Sequence, residues 1–207
     1  MVMENLGKVD LDSSIHDIRT KAMASFEKEG FPTKKDEEWK YTSLKSVLNH
    51  DYSVFPKEES DIEFKDVKKY FLHEIESYKV VFVDGIYSSY LSETTHDGFD
   101  ICLMSSVLKK PQYQLVLDNY FNKIAQNNNS LTDLNTAFTI EGAYIHIGKN
   151  KILPKPIQIV NFYTGGEKDI LLQPRNLIIV GENSHVEIIE RHQSLRNNTV
   201  LTNAVTE

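Results

Sequence analysis

Apolar side chains recur at helical spacing along much of the first part of the chain. Residues 13–29 form the first such segment, where Ser14 and Asp17 have the spacing of a capping box and Gly30 can end the helix. Its apolar face comprises Ile15, Ile18, Ala22 and Phe26. The same spacing predicts further helical segments over 33–48, 61–77, 115–125 and 130–138.

Polar residues mark where two of these helices start. Thr33 with Asp36, and Ser130 with Asp133, each place a capping side chain three residues before an acid. Residues 49–60, which are charged and contain a proline, are predicted to form a linker.

The hydrophobic period changes from helical to β-type at two points. Residues 80–87 read VVFVDGIY, and an Asp-Gly pair between two apolar runs is a strong signal for a β-hairpin. Residues 101–107 fit either a short strand or the start of a helix. After Gly142 short β-type runs replace the helical pattern, over 143–147, 157–163, 177–180, 185–190 and 200–205.

The motif Gly-x-Asn occurs twice between these runs, at Gly148-Lys149-Asn150 and at Gly181-Glu182-Asn183. The two copies are 33 residues apart, from position 148 to position 181. Because glycine and asparagine tolerate positive φ, such a corner can redirect an extended chain. The motif fits stacked strand units or hairpins, and the sequence leaves both possibilities open.

These patterns predict an α+β protein in two parts. We expect a largely helical N-terminal domain with a β-hairpin over residues 1–140 and the start of a β-rich core over residues 141–207. The last β-type run reaches Glu207 with no cap or charged stop. Because open strand edges are usually covered in complete proteins, we expect this chain to be a piece of a longer one.

Composition narrows the classes of function. The 207 residues carry a formal net charge of −7, which disfavours a general nucleic-acid binder. The single cysteine excludes an internal disulfide framework and fits a reducing compartment. No apolar run is long enough for a membrane span, and residues 1–12 lack the apolar core of a signal peptide. We therefore expect a cytoplasmic protein.

Candidate chemistry is sparse. Cys102 is alone, which excludes an all-cysteine cluster site within one chain, and we interpret it as a buried structural residue. The chain has no P-loop sequence. One polar constellation remains, comprising His185, Glu187, Glu190, Arg191 and His192. Strand alternation puts His185 with Glu187 on one face and Glu190 with His192 on the other, so we assign no catalytic, cofactor-binding or metal-binding residue.

Trp39 and Tyr41 permit two interpretations. They can anchor a helical segment to its neighbour, or they can form a partner-binding patch, since aromatic residues concentrate binding energy at interfaces. We favour the anchor because a lone tryptophan in a small domain is usually mostly buried.

Four stretches in order resemble the SufB/SufD family of iron–sulfur cluster assembly proteins, and within it the SufD members. Residues 32–44, PTKKDEEWKYTSL, are similar to the N-terminal signature of SufD members, and FVDG at 82–85 is similar to the family's hairpin. LNTAF at 134–138, followed by Glu141-Gly142, resembles the segment that leads into the core. Residues 174–190 resemble the first turns of that core.

The resemblance implies a fold and a role. Family members have a largely helical N-terminal domain followed by a right-handed parallel β-helix, of which this chain would contain the first turns. A SufD subunit pairs with SufB through the β-helices, both bind the ATPase SufC, and the SufBCD complex assembles clusters and passes them to apoproteins. The resemblance thus implies a non-catalytic scaffold that binds no cofactor in this part, the cluster being handled by the full complex.

An alternative hypothesis belongs to a different class of protein. In it the chain is a metal-dependent enzyme on a cupin-like antiparallel β-barrel, with His185, Glu187 and His192 as ligands. The Gly-x-Asn motifs would then be hairpin loops, so parallel or antiparallel strand pairing distinguishes the two hypotheses.

Overall fold

The chain folds as a mixed α+β protein. The computed structural model describes residues 14–54, 61–72, 74–94, 99–126, 129–165 and 169–207, and the strands in these ranges form no closed barrel. The α-helices are α1 (His16–Glu29), α2 (Lys45–Leu48), α3 (Phe64–Val67), α4 (Met104–Val107), α5 (Gln114–Tyr120) and α6 (Ser130–Phe138). The strands are β1 (Tyr78–Val83), β2 (Ile86–Tyr87), β3 (Asp100–Leu103), β4 (Ala143–Ile147), β5 (Ile157–Tyr163), β6 (Ile170–Leu172), β7 (Arg175–Val180), β8 (Ile188–Ser194), β9 (Val200–Thr202) and β10 (Val205–Thr206).

The first helix confirms the predicted segment but not its cap. Ile15 stands at the N-cap of α1, while the Ser14 hydroxyl donates to the Leu108 carbonyl, 3.0 Å away, instead of capping the helix. Gly30 ends the helix at φ 71°, as predicted. The apolar face of α1 packs on α6 in a core cluster that includes Ala22, Met23, Phe26, Leu134, Ala137 and Phe138.

Two predicted helices are much shorter than their apolar patterns. Over 33–48 the Asp36 carboxylate accepts from the Thr33 amide at 2.6 Å, which closes a turn, and only the 3₁₀ helix Glu37–Trp39 and α2 follow. Over 61–77, α3 and the 3₁₀ helix Lys68–Tyr70 end where Phe71 turns extended and packs against Phe162. Tertiary packing and local polar turns thus override the helical pattern.

The predicted hairpin is confirmed. β1 and β2 pair antiparallel around Asp84 and Gly85, whose φ values are 48° and 79°. The ambiguous stretch 101–107 contains both predicted elements, since β3 is followed directly by α4. The helix predicted over 130–138 is present as α6, but Asn129 caps it by accepting from the Leu131 amide at 2.9 Å.

After residue 142 the strands form successive groups of three, and each strand pairs in parallel with the corresponding strand of the next group. The first triplet (β4, β5, β6) pairs with the second triplet (β7, β8, β9), strand by strand and in order. Representative partners are Tyr144 with Leu177, Ile157 with Ile188, and Ile170 with Val200. β10 then pairs in parallel with β7. Successive triplets are therefore about 30 to 33 residues apart in sequence.

The two Gly-x-Asn motifs lie one above the other, each between the first and second strands of its own triplet. The Asn183 side-chain amide donates to the Asn150 side-chain oxygen at 3.2 Å, and the Asn150 amide donates to the Glu182 carbonyl at 2.9 Å. Asn150 and Asn183 have φ values of 59° and 57°. Each motif connects strands of different sheets, so neither is a hairpin loop.

Strands from both sides of residue 140 share two sheets. β1 pairs in parallel with β5, in a sheet ordered β2-β1-β5-β8, and β3 pairs antiparallel with β4, in a sheet ordered β10-β7-β4-β3. Side chains from these sheets form the main apolar core between them, including Val80, Phe82, Ile101, Ile145, Ile157 and Ile159. The predicted domain boundary at 140 and 141 stays a prediction.

Some predictions fall outside the part of the chain that the structure describes. These are the N-terminal residues 1–12 and, within the predicted linker, residues 55–60. Among the helices that are described, none has the length and apolar content needed to cross a membrane.

Candidate functional site

The polar constellation of the sequence lies on and just before β8, an edge strand of its sheet. His185 forms an isolated bridge with Ile152, and β8 then begins at Ile188. As strand alternation predicts, the constellation separates into two pairs. His185 Nε2 lies 4.0 Å from Glu187 Oε1, and His192 Nε2 lies 3.1 Å from Glu190 Oε1.

The first pair is exposed to solvent. The side chains of His185 and Glu187 are 67% and 71% exposed. An ion pair at that exposure contributes little to stability because water and salt screen it.

The second pair belongs to a hydrogen-bonded network between the sheets. His192 Nδ1 lies 2.5 Å from the Tyr163 hydroxyl, and the two rings stack. The Glu190 carboxylate accepts from the Asn176 side-chain amide and from the Thr206 hydroxyl, each at 3.0 Å. Both nitrogens of His192 and both oxygens of Glu190 therefore have partners within the protein, which holds β5, β7, β8 and β10 together.

Burial and hydrogen bonding shift two pKa values in this network. Burial raises the pKa of Tyr163 to about 12, so the phenol keeps its proton and can donate to His192. Hydrogen bonds to the carboxylate, first of all from His192, lower the pKa of Glu190. The lowered pKa means that the folded protein stabilises the ionised form of Glu190.

We expect Glu190→Gln to reduce the free energy of unfolding by about 1–2 kcal/mol near neutral pH. The lowered pKa makes the wild-type contribution complete above the ordinary pKa of 4.5 and removes it as pH falls through the folded-state value. The difference between the two proteins should therefore shrink below about pH 4. Urea unfolding of both proteins near neutral pH and below about pH 4 measures this difference.

Glu187→Gln is the matched control because Glu187 lies on the same segment and is 71% exposed. It should change the free energy of unfolding by less than about 0.5 kcal/mol at either pH. Equal effects of the two substitutions would contradict the role of the network.

Arg191, the remaining member of the constellation, points to the other face of β8. Its guanidinium donates to the Tyr70 carbonyl at 2.9 Å and lies 5.4 Å from the centre of the Tyr70 ring. Arg191 thus attaches the segment after α3 to the sheet, and this contact is structural.

The metal-site hypothesis finds no support in this geometry. In the residues that the structure describes, no three His, Cys, Asp or Glu side chains are grouped closely enough to hold a metal ion. His185, Glu187 and His192 do not come together, and the parallel pairing of β5 with β8 is not that of an antiparallel barrel.

A buried polar cluster that the sequence analysis missed centres on Arg175 and Glu207. Their side chains are 0% and 1% exposed, and Arg175 Nη2 lies 2.7 Å from Glu207 Oε1. Asn122, Asn135 and Thr136 also accept from this guanidinium, which lies over the Phe121 ring. Burial lowers the pKa of Arg175, and the Glu207 carboxylate opposes that shift. The sequence signal for this cluster is an arginine between a proline and an apolar run. Side chains on α6 and just after α5 bind this arginine, and the sequence alone does not show that they lie beside it.

The other singled-out residues lie apart from both networks. Cys102 is partly buried, with its sulfur 3.4 Å from the Tyr113 hydroxyl. Trp39 is partly buried, whereas Tyr41 is 89% exposed. The predicted anchoring role is therefore wrong for Tyr41.

The structure is built from strand triplets that pair in parallel. The polar side chains of its two networks bind one another. Comparison with known proteins agrees: the family description "SufBD protein N-terminal region" matches residues 5–159, which is more than half of the chain. The chain belongs to the SufB/SufD family of iron–sulfur cluster assembly proteins.

One curated relative also matches most of the chain. The chain is 28% identical over 167 residues to an iron–sulfur cluster assembly SufBD family protein of Synechocystis sp.. The aligned region covers 81% of this chain and 36% of the relative. The chain therefore corresponds to about a third of the length of that relative.

Proposed function

We propose that the chain is the N-terminal part of a SufD-type scaffold subunit in a SufBCD-like complex, which assembles iron–sulfur clusters and transfers them to apoproteins. Family membership is the observation that carries this proposal. The chain has no catalysis of its own in this proposal, and it acts in the cytoplasm. It binds no cofactor in this part, and the complex as a whole handles the cluster.

The strand triplets support a parallel β-helix as the scaffold. In this proposal the first and second triplets are two successive turns of the helix, and β10 begins a third. Parallel strands joined by crossovers are almost always right-handed, so we propose the right-handed form. β1 and β3 pair with strands of the first triplet and so cover its N-terminal side.

The open side of the second triplet supports growth by further turns. β8, β9 and β10 are the outer strands of their sheets at that side. A row of unpaired backbone groups is a template for another strand. We propose that further turns cover this side, and that the completed β-helix pairs with a SufB-like subunit.

Co-expression tests the proposed assembly. We expect the full-length protein that carries this sequence to co-purify with a SufB-like subunit and a SufC-like ATPase. Residues 1–207 alone should not retain the ATPase, because in the proposal its docking segment lies further along the chain. Affinity capture followed by quantitative gel analysis measures both outcomes.

The ATPase passed alone over the same resin controls for non-specific capture. A full-length protein that stays alone when all three are co-expressed would contradict the scaffold role. Retention of the ATPase by residues 1–207 would instead place the docking surface in this part of the family's chain.

A further inference from the structure

A groove of about 560 Å³ lies between two segments that follow α1. Residues 31–35 form one wall, and residues of the range 43–48, which contains α2, form the other. The apolar side chains that line the groove are half-buried, namely those of Phe31, Pro32, Leu44 and Leu48. The groove shares no residue with either polar network or with the open side of the second triplet.

Both walls are attached to the core between α1 and α6. The Phe31 ring meets the Phe26 ring edge-on, with 5.1 Å between their centres. On the other wall the Val47 carbonyl accepts from the Tyr52 hydroxyl at 2.7 Å, and both Phe26 and Tyr52 belong to that core. Because the walls are held in this way, a ligand does not have to order them, which favours binding.

Three lysines give the groove a positive rim. Lys34, Lys35 and Lys45 line the groove and are exposed, and no acidic side chain is among its described lining residues. None of these lysines has an ion-pair partner in the part of the chain that the structure describes. By contrast, glutamates pair with lysines elsewhere in the structure, at Lys65, Lys79, Lys149 and Lys155.

The acids next to these lysines in sequence leave the rim positive. The Asp36 carboxylate accepts from the amide and the hydroxyl of Thr33, at 2.6 and 3.1 Å, and thereby closes a turn. Glu37 and Glu38 are exposed but do not line the groove. Because the whole chain has a net charge of −7, an unpaired positive rim favours an acidic partner protein over a nucleic acid.

The shape of the groove favours a helix as the element that binds there. Neither wall contains a strand, so no backbone edge is available for strand addition. Among the described lining residues only Phe31 is aromatic, whereas proline-rich ligands dock in grooves lined by several aromatic side chains. The volume holds about two or three apolar side chains, since a cavity of about 150 Å³ takes up benzene. One face of an amphipathic helix presents such a set.

Tyr41 provides a further contact surface next to the groove in the chain. It lies in the segment that connects the two walls, and it is 89% exposed, the largest value among the large hydrophobic side chains that the structure describes. The Lys40 ammonium lies 5.6 Å from the centre of its ring. An exposed tyrosine beside a cation fits a protein-binding surface, because aromatic side chains concentrate binding energy at interfaces.

We propose that this groove binds an acidic amphipathic helix of a partner protein. Apolar side chains of that helix enter between Phe31 and Leu48, and its carboxylates pair with the three rim lysines. Tyr41 packs against the side of the helix. The proposal goes beyond the scaffold role and does not rest on it.

Fluorescence anisotropy with the full-length protein that carries this sequence tests the groove. The probe is a labelled peptide in which leucines recur at helical spacing among glutamates. One counterpart has lysines in place of the glutamates, and another has serines in place of the leucines. We expect the acidic leucine peptide to bind about tenfold more tightly than either counterpart, and its affinity to fall as salt is raised from about 50 to about 300 mM.

Charge reversal of the rim locates the binding. Lys34→Glu, Lys35→Glu and Lys45→Glu together should weaken binding of the acidic leucine peptide about tenfold. The matched control reverses three exposed lysines that do not line the groove, Lys21, Lys110 and Lys123. It makes the same change in net charge and should leave the affinity within about threefold. Circular dichroism verifies that both variants are folded.

Several results would overturn the proposal. No binding of the acidic leucine peptide would show that the rest of the full-length chain covers the groove or that the groove binds no helix. Equal binding of the lysine counterpart would show that the rim lysines do not select the ligand. Equal losses in the rim and control variants would show that only overall charge matters. Self-association that the rim variant abolishes would instead make a second copy of the chain the occupant.

Discussion

Arg175→Met is expected to reduce the free energy of unfolding by about 3–5 kcal/mol. The substitution keeps much of the side-chain volume but leaves the Glu207 carboxylate, 1% exposed, without its cation. Water cannot replace the guanidinium there without opening the structure. Urea unfolding followed by circular dichroism measures the change.

The remaining contacts show why the effect should exceed that of an ordinary ion pair. The Glu207 carboxylate also accepts from the amides of Asn122 and Ala125, which are not enough to replace a full positive charge. Asn122 and Asn135 in turn lose the guanidinium as a donor. The loss therefore extends to the chain between α5 and α6.

Lys149→Met provides the matched control on an exposed ion pair. Lys149 and Glu182 bond across the stacked corners, but their side chains are 60% and 68% exposed. Their pairing should contribute less than about 1 kcal/mol. If Arg175→Met is no more damaging than Lys149→Met, the buried pair does not stabilise the fold as its burial indicates.

Gly142→Ala is expected to destabilise the protein by about 2–5 kcal/mol. Gly142 has φ 153°, and a β-carbon there would lie 1.9 Å from the Arg175 carbonyl oxygen. Because that atom is backbone, β4 and β7 would have to separate at the start of their pairing. Thermal unfolding of the variant and the wild type measures the loss.

Gly148→Ala separates the close contact from the general effect of losing a glycine. A β-carbon at Gly148 meets nothing within 4 Å, and its φ is not in the left-handed region. This variant should be as stable as the wild type or more stable by up to about 1 kcal/mol. Comparable losses from both variants would show that the close approach at Gly142 is unimportant.

Sequence predicted the β-rich half well where local signals are strong. The bounds of β4 and β5 match the apolar runs, and the hairpin at Asp84-Gly85 follows from turn chemistry alone. The Gly-x-Asn motifs are corners, as proposed from the tolerance of asparagine for positive φ. Their 33-residue separation is also the separation of Tyr144 and Leu177, which pair across β4 and β7.

Other elements depend on contacts that a local pattern does not contain. β6 has only three residues and was not predicted, since its partner β9 is 30 residues away. β8 was expected over 185–190 but spans Ile188–Ser194, because its polar residues bind partners on other strands. The helix predicted over 61–77 is shorter in the structure because Phe71 has an extended backbone and packs in the core.

For the site, the sequence predicts only which side chains share a face of the strand. Alternation correctly paired His185 with Glu187 and Glu190 with His192, but it could not show which pair points inward. The partners of Glu190 include Asn176 and Thr206, which belong to different strands and differ from it by 14 and 16 positions. Such a network becomes visible only when the pairing of the strands is known.

The connection between the first and second strands is longer in the first triplet than in the second. Ile152 pairs with His185, and Ile157 pairs with Ile188. These two paired positions are therefore five residues apart in the first triplet and three residues apart in the second. The two additional residues fall in the segment that contains Pro154 and Pro156, which cannot donate to a strand ladder. Evolution can therefore lengthen or shorten this connection without disturbing β4 or β5. Alignment gaps among relatives should collect between positions 152 and 157.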